Sequence, residues 1–267
     1  MKFGCCTNMI ASCSDGTGVE FIEQLKELGY DYIELPLAQI MDLSEDKFAR
    51  LVDGVNASGL RCETCNNFFP AQIRLTGPEV NYEAIFDYVD KTLQRAAVLG
   101  VEIIVFGSSG ARNIPKGFSK ATAWKQLVTL LQYVDDKVKS LGITVVIEPL
   151  NRLESNIVNN TSEGLQLVKD VNRENVRLLV DYYHLMLEKE DLEILLNVGP
   201  NLRHIHFSRP EGRVFPLETD KNDYYSFFWN IKEIGYEGRL SIEAYTNDFS
   251  GNAAKTLVFL KKLVTPS

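Results

Sequence analysis

Short apolar runs rich in β-branched and aromatic residues alternate with stretches of helical period along the whole chain, and the alternation repeats eight times. The spacing predicts strands near 2–7, 31–35, 60–65, 102–106, 143–148, 176–181, 202–207 and 239–244. Helices are predicted near 17–28, 44–58, 81–99, 119–140, 161–172, 188–197, 222–235 and 249–263. Several helices end on a glycine suited to a left-handed C-cap (Gly29, Gly59, Gly100, Gly142 and Gly235), each just ahead of a strand. Ser44 and Thr161 fit helix starts. The phrases LGYDYIEL, LGVEIIVF, LGITVVIE and IGYEGRLSIE look like one βα unit repeated. Eight such units make a closed (β/α)8 barrel of the TIM type, α/β in class, and 267 residues suit a single domain over 1–267. An open doubly wound sheet would normally carry a glycine-rich phosphate loop after its first strand, where this chain reads CCTNMIASCSDGTG.

Composition narrows the partners. The formal net charge of −8 and the lack of a basic run disfavour nucleic acid. No apolar run approaches the ~20 residues that span a bilayer, so no membrane partner is expected. The opening MKFGCCTNMIASCSDG turns polar too soon for a signal peptide. A cytoplasmic location is expected. Five cysteines, an odd number, argue against a disulfide framework. Cys62 and Cys65 lie in a predicted strand, where residues three apart face opposite ways, so both read as separate buried thiols. Asn159-Asn160-Thr161 matches a glycosylation acceptor, idle without export.

The chemistry concentrates in the last 120 or so residues. Four successive strand-like runs, ITVVIE, VRLLVDYYH, LRHIH and LSIE, end on Glu148, Asp181, His206 and Glu243. In a barrel, inward residues at the C-terminal strand ends converge on one point. Each acid taken singly also suits a helix cap or an ion pair. Together, three carboxylates in one cavity repel unless a cation neutralises them, and with one imidazole they suit a hard or borderline divalent ion. Mn²⁺ is the expected cofactor, with Mg²⁺, Co²⁺ and Zn²⁺ as alternatives. The chain's three histidines, His184, His204 and His206, all fall in this stretch. His206 lies nearer the strand end and reads as the ligand. His204, two residues earlier on the same face, reads as a hydrogen-bonded core histidine. His184 has left its strand and is placed either to touch a substrate or to cap.

At these residues the chain resembles the sugar isomerase and epimerase superfamily that includes D-tagatose 3-epimerase, D-psicose 3-epimerase, hydroxypyruvate isomerase and the inosose and dehydroshikimate dehydratases. IEPLNRLE is similar to the epimerase segment in which a ligand glutamate precedes a substrate-contacting glutamate by six residues, implying Glu148 and Glu154. VDYYH resembles the family's Asp-x-x-His, implying Asp181 as ligand and His184 as substrate contact. HIH implies His206, and SIEAY implies Glu243 as the second catalytic glutamate beside Glu148. The family's substrate-holding arginine after the ligand histidine is shifted here: FSRPEGRVFP offers Arg209 and Arg213. Arg112, in GSSGARNIPKGF after strand four, is a further candidate substrate contact, weighed against a surface loop. The loop after strand seven is a common phosphate position in barrels, so free and phosphorylated sugars both stay open.

Strands five and eight stand three apart round the ring, so Glu148 and Glu243 approach a central substrate from different sides. The expected activity is metal-dependent isomerisation or epimerisation of a ketose or related hydroxy-carbonyl sugar, by proton transfer through an enediolate held on the metal. The nearest rival is a lyase or dehydratase of the same fold, as in inosose dehydration or cleavage of an oxidised glycoside. A non-enzymatic sugar-binding barrel and an apurinic endonuclease of the three-zinc type stand further off, the latter ill-matched to three histidines and a charge of −8. The resemblance implies a homodimer or homotetramer. The aromatic run YYSFFW (224–229) is expected to pack its helix on the barrel, with a subunit interface as the alternative.

Overall fold

A computed structural model describes residues 1–265. Eight parallel strands, β1 (Lys2–Cys6), β2 (Tyr32–Pro36), β3 (Arg61–Asn66), β4 (Ile103–Phe106), β5 (Thr144–Ile147), β6 (Val176–Asp181), β7 (Leu202–Phe207) and β8 (Arg239–Ile242), close in sequential order. The α-helices are α1 (Ile22–Leu28), α2 (Leu37–Met41), α3 (Glu45–Ser58), α4 (Tyr82–Leu99), α5 (Ser109–Arg112), α6 (Lys120–Val138), α7 (Thr161–Val171), α8 (Tyr182–Leu187), α9 (Ile194–Val198), α10 (Tyr224–Glu233) and α11 (Phe249–Val264). None of the described helices is long and apolar enough to cross a membrane.

The predicted strands all form. The helix expected over 188–197 does not: a short α8 starts at Tyr182 instead, and α9 covers only Ile194–Val198. Ser44 caps α3 through its side chain as expected, whereas α7 is capped by Asn160, one residue ahead of Thr161. The Asn160 carboxamide oxygen accepts from the Glu163 amide at 2.8 Å, satisfying a donor that the first helical turn leaves open.

The main apolar core lies between barrel and helices. Phe207 of β7 packs against Tyr182, Tyr224, Phe227 and Phe228, with ring centroids 4.9–5.5 Å apart. The aromatic run of α10 therefore does two things: Tyr224, Phe227 and Phe228 dock the helix, while Tyr225 and Trp229 stand exposed at 68% and 64%. The N-terminal end of the barrel is closed by ion pairs linking Lys2 and Arg239 to Glu63, and Arg239 and Arg61 to Glu102.

One strand departs from simple alternation. Ile33 pairs with Cys62 but Glu34 with Thr64, so Glu63 is an extra residue in β3, a β-bulge. Glu63 pairs with Lys2 and Arg239 and Thr64 with Glu34. The flanking Cys62 and Cys65 consequently share a face, with their sulfurs 3.7 Å apart, and do not point opposite ways. Both are free, buried thiols.

Candidate active site

Asp181 ends β6 and pairs in register with His206 of β7, while Glu148 and Glu243 each follow the last residue of β5 and β8. All four are buried, and one ligand atom from each lies within 4.8 Å of the others. His206 Nδ1 stands 3.1 Å from Glu148 Oε1 and 3.0 Å from Glu243 Oε2. Gly107, just past β4, lies against this carboxylate: a Cβ on it would come within 2.2 Å of Glu148 Oε2, so a larger residue would make the Glu148 carboxylate shift from its place at the mouth. Asp181 also accepts the Tyr183 amide at 2.9 Å, so it caps α8 while one oxygen remains for the cup.

The electrostatics are those of crowded acids. Burial pushes the Asp181 carboxyl up to about 7, with Arg213 opposing the rise and Glu243 and Glu148 adding to it. Burial likewise raises Glu148. Burial acts against ionised Glu243 too, but Arg213 and His206 override it and hold that carboxyl well below the usual range. Three carboxylates and an imidazole gathered this closely form a donor set that suits a hard or borderline divalent ion.

A second set of groups rims the cup. Arg213 Nη2 lies 2.5 Å from Glu243 Oε2 and 3.4 Å from Asp181 Oδ2, and Nη1 lies 3.6 Å from Glu154 Oε1. Its guanidinium sits 4.7 Å over the Tyr183 ring. Arg213 holds a left-handed backbone (φ 47°), and its carbonyl accepts the Tyr245 amide at 2.8 Å, which ties the β7–α10 loop to the end of β8. Non-glycine residues held in that region cluster at functional sites. His184, in the first turn of α8, is fixed from behind: its Nδ1 accepts the Asn151 amide at 3.2 Å and lies 2.7 Å from Asn151 Nδ2. Nε2 must then carry the hydrogen of the neutral ring. Burial and the nearby Arg213 keep this histidine uncharged. Nε2 is buried without a hydrogen-bond partner, 3.5 Å from Asp181 Oδ2. Asn151 Nδ2 also reaches Glu154 Oε1 at 3.0 Å.

Residues 22–263 match the family described as xylose isomerase-like TIM barrel. The chain belongs to that family. Among curated proteins it is 26% identical to a ketose 3-epimerase of Arthrobacter globiformis, over 92% of this chain and 84% of that one. It is 29% identical to an L-ribulose 3-epimerase of Methylomonas sp. (strain DH-1), over 82% and 76%. A solved D-psicose 3-epimerase from Clostridium cellulolyticum H10, crystallised with D-tagatose, superposes with a TM-score of 0.87 at 20% identity over the full length of both chains. At that identity the superposition speaks for the fold.

Within this xylose isomerase-like barrel, the residues singled out from sequence separate into three groups. Glu148, Asp181, His206 and Glu243 converge, with Glu154, His184 and Arg213 at their rim. Arg209 does not join them. Its side chain lies 3.3 Å from Asp220 Oδ1 and donates to the Glu211 carbonyl, bracing its own loop. Arg112 is neither a surface residue nor free to reach a ligand: it is fully buried, with Nη1 donating to the Phe106 carbonyl at 3.0 Å and Nη2 to Val158 at 3.4 Å. Burial lowers it to about 10, with Glu148 opposing the fall. It stands as a cation behind the cup. His204 is a core histidine, donating from Nε2 to Glu34 at 2.8 Å.

Two residues of the site escaped the sequence reading. Asn151 sits in the IEPLNRLE segment, and an amide three residues past the ligand glutamate was the available signal. Glu34 is the third residue of the five-residue β2, short of the strand end that marked the other acids, so that pattern does not single it out.

Proposed function

We propose that the protein is a divalent-metal-dependent isomerase or epimerase of a ketose or related hydroxy-carbonyl sugar. The reading rests on one observation: four ionisable groups from four strands meet within 4.8 Å at the C-terminal mouth, where barrels of this type do their chemistry. The 3-epimerase names of the relatives support a ketose as substrate.

Glu148, Asp181, His206 and Glu243 would hold the ion, Mn²⁺ for choice given three oxygen ligands and one nitrogen. Once bound it acts as a Lewis acid toward a carbonyl and its neighbouring hydroxyl, making the adjacent C–H more acidic. The chain's own groups supply the rest. Glu148 and Glu243 flank the centre from strands three apart in the ring, so one takes a proton from a carbon and the other returns one on the opposite face. His184 Nε2–H, buried without a partner, is placed to donate to a substrate oxygen, and Asn151 locks its ring in the tautomer that makes it a donor. Arg213 keeps Glu243 ionised and, through its unpartnered Nε, offers a further donor. Across the mouth Asn66 gives a hydrogen bond to Asn8 at 3.0 Å, and its own Oδ1, buried and unpaired, offers an acceptor to a distal hydroxyl.

The test is incubation of the Mn²⁺-loaded protein with fructose, psicose, tagatose and ribulose in D₂O. The expected result is solvent deuterium on a carbon next to the carbonyl without loss of water. Elimination products would make it a lyase. Absence of exchange across the panel, with metal bound, would leave a sugar-binding barrel.

A further inference from the structure

Glu34 is fully buried in the barrel interior, and its carboxylate is surrounded by donors. His206 Nε2 lies 2.8 Å from Oε1. His204 Nε2 at 2.8 Å, Thr64 Oγ1 at 2.7 Å and Ser241 Oγ at 2.6 Å all meet Oε2. Behind Ser241, the Tyr32 hydroxyl lies 2.8 Å from Ser241 Oγ and can donate to it, freeing the serine proton for Glu34. Gly4 is required for this chain of hydroxyls, because a Cβ there would meet the Tyr32 ring at 2.3 Å.

We propose that Glu34 is a positioning residue that dictates which nitrogen of His206 faces the cup. The inference rests on the reading that the cup holds a divalent cation. An ionised carboxylate only accepts hydrogen bonds, so each group facing it must bring the hydrogen. Hydroxyls turn to comply at no cost. A neutral imidazole complies only by carrying its proton on Nε2, which leaves Nδ1 as the lone-pair nitrogen. In His206 that nitrogen points at Glu148 Oε1 and Glu243 Oε2, the place a ligand atom must occupy. His204 is held in the same tautomer although its Nδ1 is then buried without a partner. Glu34, not the preference of either histidine, therefore sets the pattern. A carboxylate donating negative charge through the far side of a ligand imidazole also strengthens it, and loss of such a partner typically costs 10–100-fold in metal affinity.

The experiment compares Mn²⁺ binding, read from free Mn²⁺ by electron paramagnetic resonance, in the wild type and in Glu34→Gln, Glu34→Met, Thr64→Val and Ser241→Ala, with circular dichroism and melting curves alongside. Wild-type protein that takes up no Mn²⁺ would defeat the cup reading itself. With the wild type binding one ion, Glu34→Met is expected to weaken it about 10–100-fold while remaining folded. Glu34→Gln keeps an acceptor for His206 but removes the charge, so a smaller loss is expected. Thr64→Val and Ser241→Ala remove donors that do not touch His206 and should leave affinity within about twofold, whatever they do to melting. Affinity that instead follows melting temperature across all four variants would reduce Glu34 to a structural role. Nitrogen-15 NMR of the Zn²⁺-loaded wild type should show His206 protonated at Nε2. Protonation at Nδ1, or unchanged Mn²⁺ affinity in both Glu34 variants, would overturn the proposal.

Discussion

The inside of the barrel has two unlike halves. Between β4 and β6 it is filled by Ile103, Val105, Val146 and Leu179, a small apolar cluster separate from the main core. Around β2, β3, β7 and β8 the same depth is occupied by Glu34, Thr64, His204, His206 and Ser241, all buried, the other four each hydrogen-bonded to Glu34. The apolar half needs only volume and shape, so its chemistry is interchangeable within packing limits. The polar half is tolerable only when its donors and acceptors match, because each unpaired buried group costs free energy. Stability is invested in the first, and orientation of the groups at the mouth comes from the second.

The largest effects are expected where the polar half meets the mouth. Glu243→Gln and Glu148→Gln are each expected to lower turnover about a thousandfold, within the range for a lost general acid or base. Unchanged far-ultraviolet circular dichroism would show that folding survives. Next in size, Leu179→Ala in the apolar half should cost about 2–5 kcal/mol of stability in urea unfolding. Mn²⁺ affinity should hardly move, which separates the halves by function.

A pH experiment sharpens the contrast further. Metal-free protein keeps Asp181 protonated up to about 7, whereas the ordinary value of 3.8 applies when it is unfolded. The folded form thus binds the extra proton between those values. Its contribution to stability is complete below about pH 4 and is lost as pH rises through 7. Melting of the metal-free protein should fall across that window by this contribution. Mn²⁺ uptake, which needs the ionised carboxylate, should weaken up to about tenfold per pH unit below 7. Melting and Mn²⁺ titrations at pH 5.5, 6.5 and 7.5 check both. The smallest effect is expected from Thr64→Val, about 1 kcal/mol of stability for one of several donors to Glu34, with turnover intact in a progress-curve assay.

The barrel and the four cup residues were legible in the sequence because both follow from repetition. Each βα unit restates the same apolar run, and an acid or histidine at its end inherits an inward direction from strand alternation. Legibility failed where position depends on contacts between distant segments. At the bulge, Glu63 pairs with Lys2 and Arg239, 61 and 176 residues away, and the bulge reversed the expected facing of Cys62 and Cys65. Arg112 and Arg209 look alike in sequence to Arg213, three arginines in loops at the C-terminal face. Only packing against Phe106 and Val158, or pairing with Asp220, withdraws two of them. Glu34 was missed for a different reason. It lies in the middle of β2, so a rule built on strand ends passes it over, and its partners emerge only when the barrel closes.

Glu148, Asp181, His206 and Glu243 are proposed to clasp one divalent cation together. Anomalous scattering from a crystal grown with Mn²⁺ tests it directly. A single strong peak bounded by those four side chains is expected. A peak elsewhere, or none between them at saturating Mn²⁺, would contradict it.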